Sequence, residues 1–268
     1  MKRAQRACVI TQILTENPNR DFPLGYFAER FGCAKSSISE DLQIVRASFE
    51  EAGLGYIETT SGAKGGVRYV PYISKELSVP AITKFGEALA APERVLGSGF
   101  VYTTDLMSDP EFVSMAARLF AKRFAATEAD IVVTVETKGI GVAMEAARLL
   151  NMPLIVIRRE AKVSEGSTIS INYFSGSADR IQKMSLSKRA VKPGSRAIII
   201  DDFMRGGGSV KGMQDMLAEF DAKSVGVGVV IAAGQNAQKK IGGYFPIFLY
   251  DDNDAECRVR PNPEILGE

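Results

Sequence analysis

Two adjacent carboxylates, Asp201 and Asp202, close an apolar run and precede a glycine-rich turn. The order is Ala197-Ile198-Ile199-Ile200-Asp201-Asp202-Phe203-Met204-Arg205-Gly206-Gly207-Gly208-Ser209. The β-branched run predicts a strand buried on both faces of a parallel sheet. Ser209 reads as the N-cap of a following helix, with Met213, Met216, Leu217 and Phe220 on its apolar face. A strand, a glycine turn and a helix N-terminus make an anion site, because free backbone N–H groups and the helix dipole point into the turn. Two acids beside a bare phosphate would be unfavourable. They suit a ligand that also carries hydroxyls, which carboxylates accept. The combination predicts a sugar phosphate, with its hydroxyls on Asp201 and Asp202 and its phosphate in the loop Met204, Arg205, Gly206, Gly207, Gly208 and Ser209. No Gly-Lys-Ser/Thr closes the loop, and Lys211 comes too late for a nucleotide P-loop.

A second stretch of the same kind is Glu136-Thr137-Lys138-Gly139-Ile140-Gly141, a glycine-containing loop with a lysine between a predicted strand and a predicted helix. Its plainer reading is a strand-to-helix turn. Arg158 and Arg159 end the next strand, where they face the same anion or are solvated. Tyr102 is a candidate for stacking on a nucleotide, or a core tyrosine. The 197–209 segment resembles the phosphoribosylpyrophosphate (PRPP) signature of type I phosphoribosyltransferases. Gly206 replaces the first threonine of that signature, Ser209 replaces the last, and Arg205 occupies a position that is usually small. By this resemblance Thr137, Lys138 and Gly139 take the role of the loop that binds the pyrophosphate of PRPP.

The elements that must position these residues alternate regularly. Ile131 to Val135, Leu154 to Ile157, Ile198 to Ile200 and Val225 to Ile231 read as strands. Val142 to Leu150 and Val210 to Phe220 read as helices. Such alternation implies a parallel sheet with covered faces, and a ligand crevice outside the carboxyl ends of its strands. The insertion from Ala161 to Arg189 is long for a connection and alternates like a hairpin. By the same resemblance it is a hood over the substrate. Pro110 to Phe124 predicts an amphipathic helix, and a helix from about Ala81 to Ala90 follows the breaking stretch Pro71 to Pro80. Phe245 to Tyr250 is strand-like, and the tail beyond it is placed to cap the crevice.

The N-terminal segment has a different texture. Ala7, Ile10, Ile13 and Leu14 give a first helix, ended by Asn17-Pro18-Asn19. Leu24, Phe27, Ala28 and Phe31 give a second, with Pro23 in its first turn and Gly32 as its stop. Ser37-Ile38-Ser39-Glu40 matches a capping box and predicts the start of a third, with Ile38, Leu42, Val45, Phe49 and Ala52 at helical spacing. Two β-rich runs, Tyr56 to Thr60 and Val67 to Val70, flank the flexible tip Ser61 to Gly66. Three helices and a hairpin is the winged helix-turn-helix arrangement. The candidate DNA contacts are Lys2, Arg3, Arg6, Lys35, Ser36, Ser37, Ser39, Gln43, Lys64, Gly65 and Arg68. Glu40 and Asp41 sit near that surface and temper its charge. A small helical interaction module is the plainer alternative.

Bulk properties narrow the classes. The chain has 268 residues, enough for one large or two modest domains, and a net charge of +1, so no global basic field advertises nucleic acid. There is no histidine, which removes Ser-His-Asp and Cys-His catalysis and most zinc sites. Cys8, Cys33 and Cys257 are far apart and odd in number, against a disulfide framework or thiolate metal cluster. No metal ligand set is predicted. A reducing cytoplasm fits, and neither a signal peptide nor a membrane span is expected.

A winged helix at 1–74 fused to a phosphoribosyltransferase-like parallel-sheet domain at 75–268, α/β in class, resembles the purine operon repressors of Gram-positive bacteria. The pieces carrying the resemblance are Ala34 to Leu42, Gly65-Gly66-Val67, Thr137 to Ile140, Val163 to Tyr173 and Ile200 to Met204. The departure is Arg205 to Ser209, where that family more often has lysine and alanine before two glycines and threonine after them. The resemblance implies a homodimeric transcription repressor of purine synthesis and transport genes. It binds double-stranded operator DNA, lacks transferase activity and needs no cofactor. PRPP, with Mg2+ as an optional companion, is implied as the effector that releases DNA. The rival class is a working purine phosphoribosyltransferase with an added DNA domain.

Overall fold

Apolar stripes close the first helices on one another. α1 (Arg3–Glu16), α2 (Leu24–Phe31) and α3 (Lys35–Ala52) bury Ile10, Leu14, Phe27, Ile38, Leu42, Val45 and Phe49 between them. The structure, a computed structural model, describes residues 1–60, 66–96, 100–161, 166–175, 180–233, 241–251 and 259–267, and only the backbone of Ser175 and Arg180. α2 ends at Gly32 in the left-handed region, and the Cys33 N–H returns to the Ala28 carbonyl at 3.1 Å. That tight reversal lets α3 begin at Lys35 with Ala34 as N-cap. The predicted capping box at Ser37 is therefore wrong, because Ser37 is already the third residue of the helix.

Next, β1 (Gly55–Thr59) and β2 (Val67–Pro71) pair antiparallel, with Thr59 opposite Val67. Phe22 bridges to Val67 as a third extended residue, and Arg46 of α3 bonds the Ile57 carbonyl and the Thr59 hydroxyl. The hairpin is thus tied to both the turn before α2 and the face of α3, as the winged arrangement requires. The tip at 61–65, with Lys64 and Gly65, lies outside the described residues.

α4 (Lys75–Leu89) starts earlier than expected and runs through Pro80. Pro80 costs one hydrogen bond near the helix start. Burial of Ile82, Phe85 and Leu89 outweighs that loss. Short 3-10 turns at Pro92–Arg94 and Leu106–Ser108 lead to α5 (Pro110–Phe124), whose N-cap Asp109 accepts the N–H groups of Glu111 and Phe112.

The remaining elements are β3 (Ile131–Val135), α6 (Ile140–Leu150), β4 (Leu154–Ile157), β5 (Thr168–Ser175), β6 (Arg180–Ser187), β7 (Arg196–Met204), α7 (Gly208–Ala218), β8 (Lys223–Ala233), β9 (Phe245–Tyr250), β10 (Val259–Pro261) and α8 (Pro263–Leu266). The large sheet has the order β10-β9-β8-β7-β3-β4. All its pairings are parallel except that of β10 with β9, so the sheet is mixed at that edge. The described part of the tail pairs with β9 and packs on α4, away from the crevice it was expected to cap. α4, α5 and α6 cover one face of the sheet, and α7 covers the other. The predicted hairpin is β5 and β6, in register from Thr168 opposite Ser187. It lies on α7, where Tyr173 and Met184 join the core. Alternate residues of β7 serve the two faces: Ile198 and Ile200 one, Ala197 and Ile199 the other.

Candidate functional site

The helix after β3 crosses one face of the sheet and the helix after β7 crosses the opposite face. Between these neighbouring strands the winding reverses, which is where a doubly wound sheet opens a crevice. Pairing of β3 with β7 stops at Val133 and Ile199, whereas β7 stays paired with β8 through Met204. β7 is therefore longer than predicted: Asp201 and Asp202 lie within the strand, and only one side of it is laddered there.

A cleft of about 230 Å3 fills the gap. Asp201, Asp202, Phe203 and Ser209 line it from the β7 side, and Thr137 and Lys138 from the β3 side. Asp201 is 3% exposed, and one of its oxygens accepts the N–H of Asp202 at 3.1 Å. Burial, with Asp202 alongside, pushes the Asp201 carboxyl well above the usual carboxylate range. The loop from Met204 to Val210 curls around a smaller concavity of its own. Gly207, left-handed at φ 75°, is the N-cap of α7, so the predicted Ser209 cap is corrected: the glycine turn completes itself before Ser209, which lies inside the first turn. The positive end of α7 points at this concavity.

The facing loop is tightly fitted. The Glu136–Thr137 peptide is cis, and Gly139 is the N-cap of α6. A Cβ at Gly139 would lie 3.1 Å from the Thr134 hydroxyl and 3.2 Å from the Asp202 backbone nitrogen. The two predicted loops are therefore in contact across that glycine.

Arg158 and Tyr102 line neither the cleft nor the smaller concavity. Arg158 has Glu136 at 3.4 Å, and its backbone bridges Ser185. Its neighbour Arg159 lines the cleft. Arg159 is held by its N–H and Nε to Glu136 and by Nη1 to the Gln182 amide oxygen at 3.2 Å, which also accepts the Tyr173 hydroxyl at 2.6 Å. Tyr102 lies outward under the Arg94 guanidinium, 42% exposed, while Phe100, Val101 and Thr103 line the cleft. Val101 and Thr103 are buried and Tyr102 between them is exposed, and the missed signal was the period of two in Val101-Tyr102-Thr103. Arg158 and Arg159 were both read as facing the anion or solvent, and of the two Arg159 lines the cleft.

The N-terminal surface divides in the same way. Lys35, Ser36, Ser39 and Gln43 are exposed along the start of α3, and Ser37 is half-buried. Lys2 is exposed at the start of α1. Asp41 is fully buried, not near the reading surface as expected. It receives Arg6 through two hydrogen bonds of 2.6 and 3.1 Å and lies 3.4 Å from Arg3. Arg68 is spent on Glu58 at 2.6 Å. Arg6 and Arg68 are thus neutralised by partners within the module, because an acid on an apolar stripe or across a hairpin pair draws the nearest cation.

Among the described residues no helix is long and apolar enough to cross a membrane. Comparison with known proteins gives two family matches: residues 2–71 to the N-terminal part of the bacterial purine repressor and residues 103–258 to the phosphoribosyl transferase domain. The chain is 45% identical over 246 residues to the purine biosynthesis transcriptional repressor PurR of Bacillus subtilis strain 168, covering 92% of this chain and 86% of that one. It is 43% identical over 241 residues to the probable purine biosynthesis transcriptional regulator PurR of Streptococcus pneumoniae, covering 90% and 88%. The crystal structure of adenine phosphoribosyltransferase from Rhodothermus marinus superposes with a TM-score of 0.54 at 21% identity, covering 64% of this chain and 98% of that one, which establishes the shared fold.

Proposed function

The chain belongs to the bacterial purine repressor family, and from that premise we propose that it represses purine biosynthesis and transport genes and lets go of operator DNA when PRPP fills its cleft. In this reading residues 1–74 hold the duplex and residues 75–268 hold the effector. The start of α3 enters the major groove with Lys35, Ser36, Ser39 and Gln43. Asp201 and Asp202 accept the ribose hydroxyls, and the N–H groups of residues 204–209 hold the 5′-phosphate at the end of α7. Thr137, Lys138 and Gly139 hold the pyrophosphate, with Arg159 beside them. Mg2+ takes oxygen ligands, and Asp202 would supply one and offset charge of a bound pyrophosphate. The protein acts as a homodimer in the cytoplasm, since phosphate contacts add across two copies of a module of modest charge.

The observation that carries the reading is the convergence of both glycine loops and the acid pair on one cleft, in a chain with an exposed α3 N-terminal face. The absent threonine at Gly206 supports a sensor rather than a transferase. Calorimetry should detect PRPP binding, tighter with Mg2+ than without. Asp201→Ala should bind DNA normally yet fail to release it with PRPP in a gel-shift titration. Release of the variant by PRPP at wild-type concentrations would reject the role given to this acid. The transferase alternative is tested by pyrophosphate release from PRPP with adenine, guanine, xanthine or hypoxanthine, and turnover at an enzyme-like rate with any of them would overturn the sensor-only reading.

A further inference from the structure

We propose that α6 is the strut that carries occupancy of the cleft to the DNA-reading helix, with Asn19 as the joint at its far end. This rests on the PRPP reading above and says how that site regulates DNA binding. α6 begins at the cleft: its N-cap is Gly139, and the Ile140 and Ala143 N–H groups return to the Thr137 and Gly139 carbonyls. Its 11 residues span about 16 Å, away from the cleft. In its last turn the Leu149 carbonyl has no helical partner to accept from, as at any helix end. The Asn19 side-chain amide donates to it at 2.7 Å.

Asn19 lies in the turn between α1 and α2, inside the DNA-binding module. Its backbone is left-handed at φ 56°, and its own N–H donates to the Tyr69 carbonyl of β2 at 2.8 Å. The Tyr69 ring packs on Phe49 of α3 at 4.8 Å, and its hydroxyl holds the Leu54 carbonyl at 2.6 Å. One residue thus grips α6 with its side chain and, through Tyr69, the helix that presents Lys35 to Gln43. At the cleft end Gly139 lies close to Asp202, with no room for a Cβ between them, so a ligand that draws the two cleft walls onto its hydroxyls and phosphates loads that contact, and α6 moves with the loop as a rigid rod. Two further hydrogen bonds between the module and the sheet domain, Arg118 to the Leu54 carbonyl and Lys122 to the Ile73 carbonyl, come from α5.

The test is Asn19→Gly, which keeps a left-handed turn without strain and removes the side chain that carries the amide. Three quantities are measured on the full chain: the affinity for Mg2+–PRPP by calorimetry, the affinity for a duplex selected in vitro with this protein, and the fold weakening of that duplex by saturating PRPP. The expectation is that both affinities stay within about threefold of wild type while the release factor falls about tenfold, a loss within the range of measured couplings. Arg118→Ala, which cuts a contact not routed through α6, should keep the full release factor. Full release in Asn19→Gly, or equal loss in both variants, overturns the strut. Failure of PRPP to bind the wild-type protein is a different outcome, and it sinks the effector assignment rather than the route. Asn19→Asp, which tolerates the same backbone angle but turns a carboxylate toward the Leu149 carbonyl, should lose release at least as strongly as Asn19→Gly.

Discussion

Asp201 lies in a strand of isoleucines, almost sealed from water, with a second acid next in the chain. Ionising it there is unfavourable, so burial first and Asp202 second raise its pKa above the ordinary value. A carboxyl that binds its proton more tightly folded than unfolded makes the protein lose stability as pH rises from the ordinary carboxylate value through the raised folded one. Asn in its place keeps an oxygen for the Asp202 N–H and has no charge to bury. Asp201→Asn should therefore melt higher than wild type at neutral pH, by about 2–4 °C for each kcal/mol relieved in a domain of this size. The gap should close as pH is lowered below the usual carboxylate range, and PRPP should no longer raise the melting point of the variant. Differential scanning calorimetry across pH decides it, and a variant that melts lower than wild type at neutral pH removes burial strain from the account. The pair itself was legible from residue types alone. Asp41 was legible only in part: it falls three residues after Ile38, on the same stripe as Leu42 and Val45. An acid on that stripe has to find a cation, and Arg6 is the one that reaches it. Spacing marks the need, but only the packed structure names the partner.

Elements were read well wherever one period persisted. The runs at β3, β4 and β9 and the stripe of α5 match the structure closely. The misses fall where a local signal competed with packing. Pro80 suggested a helix start, yet the helix runs through it to bury Phe85 and Leu89. The acids suggested the end of β7, yet its ladder with β8 continues to Met204. Contacts between elements could not be read at all, and the contact across Gly139 is the one on which the cleft depends. Gly139→Ala places a methyl within 3.2 Å of the Asp202 backbone nitrogen, where nothing flexible can yield. The loops must part by a few tenths of an ångström, and overpacking of this kind costs about 1–3 kcal/mol. PRPP affinity should fall roughly tenfold or more, since about 1.4 kcal/mol is a factor of ten. DNA affinity without effector should be unchanged. Calorimetry and gel shift on the same sample separate the two, and unchanged PRPP affinity would show that the loops need not touch to bind it.

Across the whole molecule net charge is only +1, and the two proposed anion sites, the cleft and the exposed face of α3, belong to different cores. Their relation can take two physical forms. Either PRPP and DNA phosphate are rivals for one positive surface, or each favours a different arrangement of the two domains. The structure favours the second, because the cleft residues lie at the carboxyl ends of β3 and β7 while the exposed face of α3 belongs to a separate core. Two separate sites coupled through a conformation obey reciprocity: DNA must weaken PRPP by the same factor by which PRPP weakens DNA. The apparent dissociation constant of Mg2+–PRPP, measured at increasing operator duplex, should therefore rise and then level off, at a factor in the range of about 5–150. Direct rivalry has no ceiling, and the apparent constant would keep climbing in proportion to the duplex. Salt tells them apart a second way. DNA affinity falls steeply with ionic strength through counterion release. The plateau factor, being a difference between two conformations, should shift far less than the DNA affinity itself. A plateau that vanished at moderate salt, or a rise that never levelled, would mean that the cleft and the duplex share their positive charge, and α6 would then have nothing to transmit.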